Sequence, residues 1–456
     1  MAGWPFYDAA NGKLATLIVD FKAGGGEKAR LGRERHSLPL ACAGSSRQPE
    51  LCCPLGSACW RKGEKNMVGT MDVLFWQLVH LLLRGGYRIA RMAERGDEVW
   101  LESARWRRPT LIRLVRADFD WSRSLRLDME YTWQFIRRMD GRATGRGGRV
   151  VNVYIMAYPP VDDWEFLIDE PLPLLGTGDG AFHTLLIHSG NINDMLPRLE
   201  EMTGATLRPA PSAEEEDPFA AAERFKHQVL TEWRRQREEE RRIFEYGRPV
   251  FTRLLMIVQV AMFFVLEWSG GSTDPNVLIR YGAKFNPLIE AGEWWRFLTP
   301  MFLHIGFLHL LTNTFALYYL GTTTERLYGS LRFLIIYATA GFFGTLSSFL
   351  FTPSISAGAS GAIFGLFGAL LYFGTVYRHL FFRTMGMNVI SLIVVNLLFG
   401  LLVPGIDNAG HIGGLVGGFL AAGAVHLPKQ TASGRQAGAL AAALLLAASG
   451  LWLGFR

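Results

Sequence analysis

The chain has 456 residues, of which 49% are hydrophobic and 50 are glycine, and a formal net charge of +6. Apolar residues concentrate after Val250, where about seven stretches approach the roughly 20 mostly uncharged residues that a membrane-spanning helix needs. A wholly water-soluble globule is thereby excluded, and the positive balance, much of it arginine flanking apolar stretches, argues for membrane topology rather than for nucleic acid.

Residues 1–66 mix Gly, Arg, Pro and Cys with little periodicity, and Met67 then precedes a cleaner amphipathic run over 72–83. The expectation is that 1–66 is disordered or an extension upstream of a natural start at Met67 or Met71. The cysteines Cys42, Cys52, Cys53 and Cys59 all fall here, at spacings that give neither a zinc module nor a disulfide frame. The first residues lack the basic, apolar, small-residue order of a secretory signal. The first half is therefore expected in the cytoplasm with its thiols reduced.

Residues 71–210 read as a small soluble α/β domain. Helical periodicity covers 72–83, 121–139 and 193–203, and β-branched and aromatic runs mark strands over 87–92, 110–116, 150–158 and 183–188. Asp97, Glu98, Glu102, Asp118 and Asp120 form a loose acidic set that could hold a divalent cation, although scattered surface carboxylates are far commoner than metal sites. The domain reads as a sensor, adaptor or folding module, and its residues do not name a ligand or partner. Residues 211–248 follow as a charged linker. An acidic run at 214–217 precedes a mixed-charge helix over 219–246, whose basic end, Arg241, Arg242 and Arg248, should anchor the first span on the cytoplasmic side.

The spans fall at 250–268, 302–320, 333–351, 358–377, 387–403, 409–425 and 437–453. Loops carrying Arg326 and Arg332, then Arg378 and Arg383, then Lys429 and Arg435 alternate with uncharged or weakly acidic ones. That alternation places the N-terminus inside and the C-terminus outside. The long 269–300 connection contains Glu293-Trp294-Trp295-Arg296-Phe297, whose aromatics and arginine suit the headgroup region.

Polar groups inside apolar spans are costly and usually functional. Ser360 lies among Gly361, Gly365 and Gly368, and His411 is followed at helical spacing by Gly414 and Gly418. A lone serine in such a helix is more often part of a packing seam, because small residues let membrane helices approach closely. Here two smooth faces, Gly361 with Gly365 and Gly414 with Gly418, could bring an imidazole within about 3 Å of a hydroxyl. Valine at Gly361 or Gly414 is expected to abolish activity. His309 and Asn313 share a face of the second span and could, with the Ser360 backbone N–H, hold an oxyanion. All four lie at similar depth, in the roles that acyl transfer needs.

At these residues the chain resembles the rhomboid family of intramembrane serine proteases, from about Arg253 to Leu427. Gly358-Ala359-Ser360-Gly361 matches the GxSG nucleophile motif, His411 with Gly414 and Gly418 the HxxGxxxG motif, and His309 with Asn313 the HxxxN motif. Trp295-Arg296 matches the family's first-loop WR, and Gly321, Glu325 and Gly329 its GxxxExxxG. The resemblance implies an α-helical polytopic membrane protein with a six-helix protease core over 249–427, followed by a linker and seventh helix over 428–456. It implies a Ser–His dyad in which Ser360 attacks, His411 is base and then acid, and His309, Asn313 and Gly358 support the oxyanion. Phe364, one turn after the serine, takes the place of an aromatic stacked under the histidine.

No metal or other cofactor is implied. The implied partners are the lipid bilayer and single-pass or polytopic membrane-protein substrates, cleaved near the outer end of a transmembrane segment. The implied location is the plasma membrane, with the 71–210 domain cytoplasmic and the site opening to the extracytoplasmic side. One alternative is a non-catalytic rhomboid-like protein that binds and escorts membrane clients; such relatives lack Ser, His or both. A transporter would favour internally repeated halves, and no convincing repeat is found.

Overall fold

The computed structural model describes residues 4–8, 13–17, 57–103, 110–138, 148–169, 171–173, 181–208, 217–428, 430 and 434–456. The chain divides into two compact units, Met1–Gly56 and Ser57–Arg456. In the first, β1 (Trp4–Asp8) pairs antiparallel with β2 (Lys13–Leu17). The rest of the extension expected over 1–66 lies outside the described residues, apart from its end, which is helical from Ser57. The acidic run expected to open the linker also lies outside them, up to residue 216.

The second unit opens with α1 (Ser57–Arg84) and an antiparallel meander of β3 (Tyr87–Met92), β4 (Glu98–Ser103) and β5 (Thr110–Arg116). After α2 (Ser122–Arg138), β6 (Arg149–Ile155) lies parallel to β5. The short β7 (Leu172–Pro173) precedes β8 (Ala181–Ile187), which is parallel to β6 and antiparallel to β7. The sheet order is β3-β4-β5-β6-β8-β7, and α3 (Ile192–Thr203) and α4 (Pro218–Phe244) complete the domain. β6 is buried along almost its whole length because helices cover both faces of its parallel neighbourhood. Leu74, Leu78 and Leu82 of α1 pack on one face with Leu199 of α3 and Val229 of α4. Leu125, Met129 and Ile136 of α2 cover the other. The α/β domain expected from the sequence is present, with β4 and the two-residue β7 as additional strands.

The membrane half begins at α5 (Phe251–Trp268). A long connection folds into α6 (Pro275–Arg280), α7 (Asn286–Glu290) and two tight turns at Trp294–Phe297 and Thr299–Phe302. The next span is α8 (Phe307–Ala316), a π turn at Leu317–Gly321, and α9 (Thr322–Tyr328). Then come α10 (Ser330–Phe351), α11 (Ser360–Val376), α12 (Arg378–Thr384), α13 (Gly386–Leu402), α14 (Asn408–Val425) and α15 (Gly434–Gly454). Among the described residues, α5, α10 and α15 are each long and apolar enough to cross a bilayer alone, and α12 with α13 qualify as a pair bent by 69°. α11 is a shorter apolar helix. The π turn splits the second span, and glycines dilute the apolar content of α14, which instead packs between α10 and α11.

Two polar anchors fix the fold, one within the membrane half and one between it and the α/β domain. Glu325, fully buried, accepts the backbone N–H groups of Val250 (2.9 Å), Phe251 (3.0 Å) and Thr252 (2.8 Å), which the first turn of α5 leaves without helical partners. Arg383 of α12 donates to Glu102 of β4 (2.9 Å) and pairs with Glu240 of α4 (2.5 Å), tying the α/β domain to the membrane half. Arg296, expected at the headgroups, is instead buried. It donates to the carbonyls of Ile279 (2.8 Å) and Ala283 (2.9 Å) and so folds its own loop, while Trp294 and Trp295 remain exposed.

Candidate active site

Ser360 is the first residue of α11, and the chain reaches it through Gly358, whose φ is +147°, a conformation that L side chains rarely adopt. The Gly358 N–H donates to the Pro300 carbonyl (2.9 Å). A β-carbon at Gly358 would fall 2.7 Å from Cε1 and 2.9 Å from Nε2 of His309, so the absent side chain is what lets the imidazole lie against the backbone beside Ser360.

His411 sits one turn into α14. Its Nε2 is 2.9 Å from Ser360 Oγ, within hydrogen-bond reach for a base and a nucleophile. Its ring lies over that of Phe364, with centroids 4.2 Å apart and planes inclined by 7°. Among the described residues, His411 Nδ1 has no hydrogen-bond partner, so no carboxylate completes a triad. Stacking on Phe364 and burial set the ring's orientation in its place. Orientation is the main task of a third group.

His309 accepts a hydrogen bond at Nδ1 from the Ile305 N–H (3.4 Å). In the neutral ring that leaves the proton on Nε2, the edge that faces Gly358. His304, fully buried, packs edge-on against His309 with centroids 5.4 Å apart. Asn313 is buried on the same face of α8, but its Nδ2 donates to the His309 carbonyl (2.9 Å). The structure thus brings Ser360, His411, His309, Gly358 and Phe364 together, whereas Asn313 meets them through its bond to His309.

The glycine seam is less even than its spacing implies. A β-carbon at Gly414 would overlap the Gly361 carbonyl oxygen and lie 2.7 Å from the carbonyl carbon. At Gly418 it would overlap the Gly365 backbone, and at Gly365 the β-carbon of Ala340. At Gly361 the nearest atoms, Gly410 O and Gly344 Cα, are 3.4 and 3.5 Å away, ordinary contact distances. Gly368, on the same smooth face after Ser360, is as tight as Gly414, against Leu415 O and Phe419 N.

The acidic set noted in the sequence does not converge. Glu98 pairs with Arg113 (3.2 Å), Glu102 with Arg383, and Asp118 with Arg116 (2.8 Å) while accepting the Ala157 N–H (2.8 Å). Among the described residues no group of three or more His, Cys, Asp or Glu side chains could hold a metal ion. Sequence reasoning missed Lys284 and Thr352 near the site, and it left Asp407, four residues before His411, without a role because it falls at a loop end; the three are far apart along the chain and part of none of the motifs.

Residues 291–428 match the Rhomboid domain family. Rhomboid protease GluP of Bacillus subtilis is 41% identical over 381 residues, which cover 83% of this chain and 73% of that protein. Putative rhomboid protease YdcA of the same organism is 37% identical over 138 residues, 30% of this chain and 69% of that one. Rhomboid-like protease 1 of Toxoplasma gondii is 39% identical over 150 residues, 32% of this chain and 51% of that one. Only the first likeness extends well beyond the membrane core.

Proposed function

This chain belongs to the rhomboid family of intramembrane proteases, and we propose that it is a serine endopeptidase working through a Ser360–His411 dyad. Ser360 Oγ attacks the scissile carbonyl as His411 Nε2 takes its proton, and the imidazolium then protonates the leaving amine. The oxyanion forms beside Gly358, where the Ser360 backbone N–H and His309 Nε2–H can donate to it. Asn313 contributes by fixing the His309 turn. Water then hydrolyses the acyl-enzyme and regenerates the serine.

The substrates are membrane-anchored proteins, single-pass or polytopic. The dyad lies at the end of the bundle where α10 ends and α11 and α14 begin. The arginine-rich loops mark the opposite end as cytoplasmic, so the site opens to the extracytoplasmic side of the plasma membrane and cuts near the outer end of a substrate helix. The 71–210 domain is cytoplasmic on this reading, and its ligand or partner is a separate question.

The observation that carries the proposal is the 2.9 Å approach of His411 Nε2 to Ser360 Oγ. The test is cleavage of a fluorescently labelled single-span membrane protein by purified enzyme in detergent. Wild type cleaves, and Ser360→Ala and His411→Ala do not. Equal cleavage by all three removes the assignment.

A further inference from the structure

Smooth glycine faces let α14 approach α10 and α11, but they offer few side chains to stop it sliding along them. Its axial position needs a fixture at one end. Asp407 stands at that end, four residues before His411. Its carboxylate caps α14 by accepting the Gly410 N–H (2.9 Å), and its Oδ1 also accepts the Thr352 hydroxyl (3.2 Å). Thr352 terminates α10, so the cap joins the helix that bears His411 to the helix beside it.

The Thr352 turn is itself held by Lys284. This lysine is fully buried, and its Nζ donates to the Thr352 carbonyl and to that of Ser354 (3.0 Å). Its main chain pairs with Ser356 in both directions, Lys284 N to Ser356 O at 2.9 Å and Ser356 N to Lys284 O at 3.1 Å. Residues 352–356 therefore bear on both members of the pair. Ser360 follows four residues later along the chain, and His411 is held through Asp407.

We propose that Asp407 and Lys284 are positioning residues for the Ser360–His411 pair, fixing both members to the one segment 352–356. The inference rests on the dyad reading above, so its test keeps the two apart. A full-length series is assayed in detergent with a rhodamine fluorophosphonate, giving the fraction of protein that labels at Ser360 and the rate constant of labelling. Cleavage of the fluorescent single-span protein then gives kcat per labelled site and KM.

Asp407→Ala lowers the labelling rate constant and kcat per labelled site about ten- to a hundredfold, with KM within twofold, the scale expected for a displacement of about 1 Å. Asp407→Asn, which keeps an acceptor oxygen, stays within threefold of wild type. Lys284→Met loses tenfold or more, and the double variant Lys284→Met/Asp407→Ala loses no more than threefold beyond the worse single one, because both act through the same segment. Asp407→Ala with wild-type kcat per labelled site overturns the inference. So does a loss confined to the fraction that labels, or an Asp407→Asn variant as poor as alanine. Cleavage retained by Ser360→Ala overturns the dyad reading instead.

Discussion

Alanine at Gly414 is the smallest perturbation that separates packing from chemistry at this site, since it touches neither reacting side chain. Its β-carbon would lie 2.7 Å from the Gly361 carbonyl carbon and closer still to the oxygen. Ordinary carbon contacts are about 3.5–4.0 Å, so α14 must withdraw from α11 by about 1 Å. His411 rides on α14, so its 2.9 Å separation from Ser360 Oγ opens beyond the roughly 3.2 Å at which proton transfer is efficient. A misplacement of that size costs about 100-fold, or about 2.7 kcal/mol in the barrier.

Gly361→Ala is the control on the facing helix, because its β-carbon would meet Gly410 O at an ordinary 3.4 Å. The assay is kcat per fluorophosphonate-labelled site on the fluorescent single-span protein. Gly414→Ala is expected about 100-fold down, and Gly361→Ala within about threefold of wild type. A Gly414→Ala enzyme within threefold of wild type, or a Gly361→Ala enzyme equally damaged, refutes the reasoning.

Other consequences lie away from the dyad. Glu325→Ala leaves the Phe251 and Thr252 backbone N–H groups at the start of α5 without their acceptor, and is expected to cost about 2–4 kcal/mol, read as a lowered thermal midpoint in detergent. Arg383→Ala frees Glu102 and Glu240 at the junction of the α/β domain with α12. Loss of about 1–3 kcal/mol is expected, together with faster limited proteolysis between the two halves. Asp162, at the surface, takes hydrogen bonds from the Ser122 hydroxyl and N–H, which hold its carboxyl below its ordinary pKa of 3.8. Its stabilisation is present above that ordinary value and is lost as pH falls through the lowered one. The thermal midpoints of wild type and Asp162→Asn should therefore differ at pH 6 and converge as pH falls through that lowered value.

Much of this architecture is legible in the sequence because its signals are local. The apolar spans, the parallel strands and the glycines around Ser360 and His411 each carry their pattern within a few residues. β4 escaped because its buried Val99, Trp100 and Leu101 are framed by Glu98 and Glu102. Those carboxylates look like surface residues until Arg113 and Arg383 are seen against them. The π turn at Leu317–Gly321 has no sequence mark of its own. Spacing placed Gly361 and Gly414 on facing sides but could not tell which α-carbon points at the other helix's carbonyl. That Lys284, Thr352 and Asp407 meet stayed invisible for a related reason. They come from three separate loops and helix ends, and only the fold makes them neighbours.

If His411 activates Ser360 as a nucleophile, the site and rate of fluorophosphonate addition to the intact protein report it. One adduct is expected, mapped by mass spectrometry to Ser360 and formed at a rate that falls at least 100-fold in His411→Ala while the variant remains folded. An adduct on another residue, or undiminished labelling of Ser360 without His411, would contradict it.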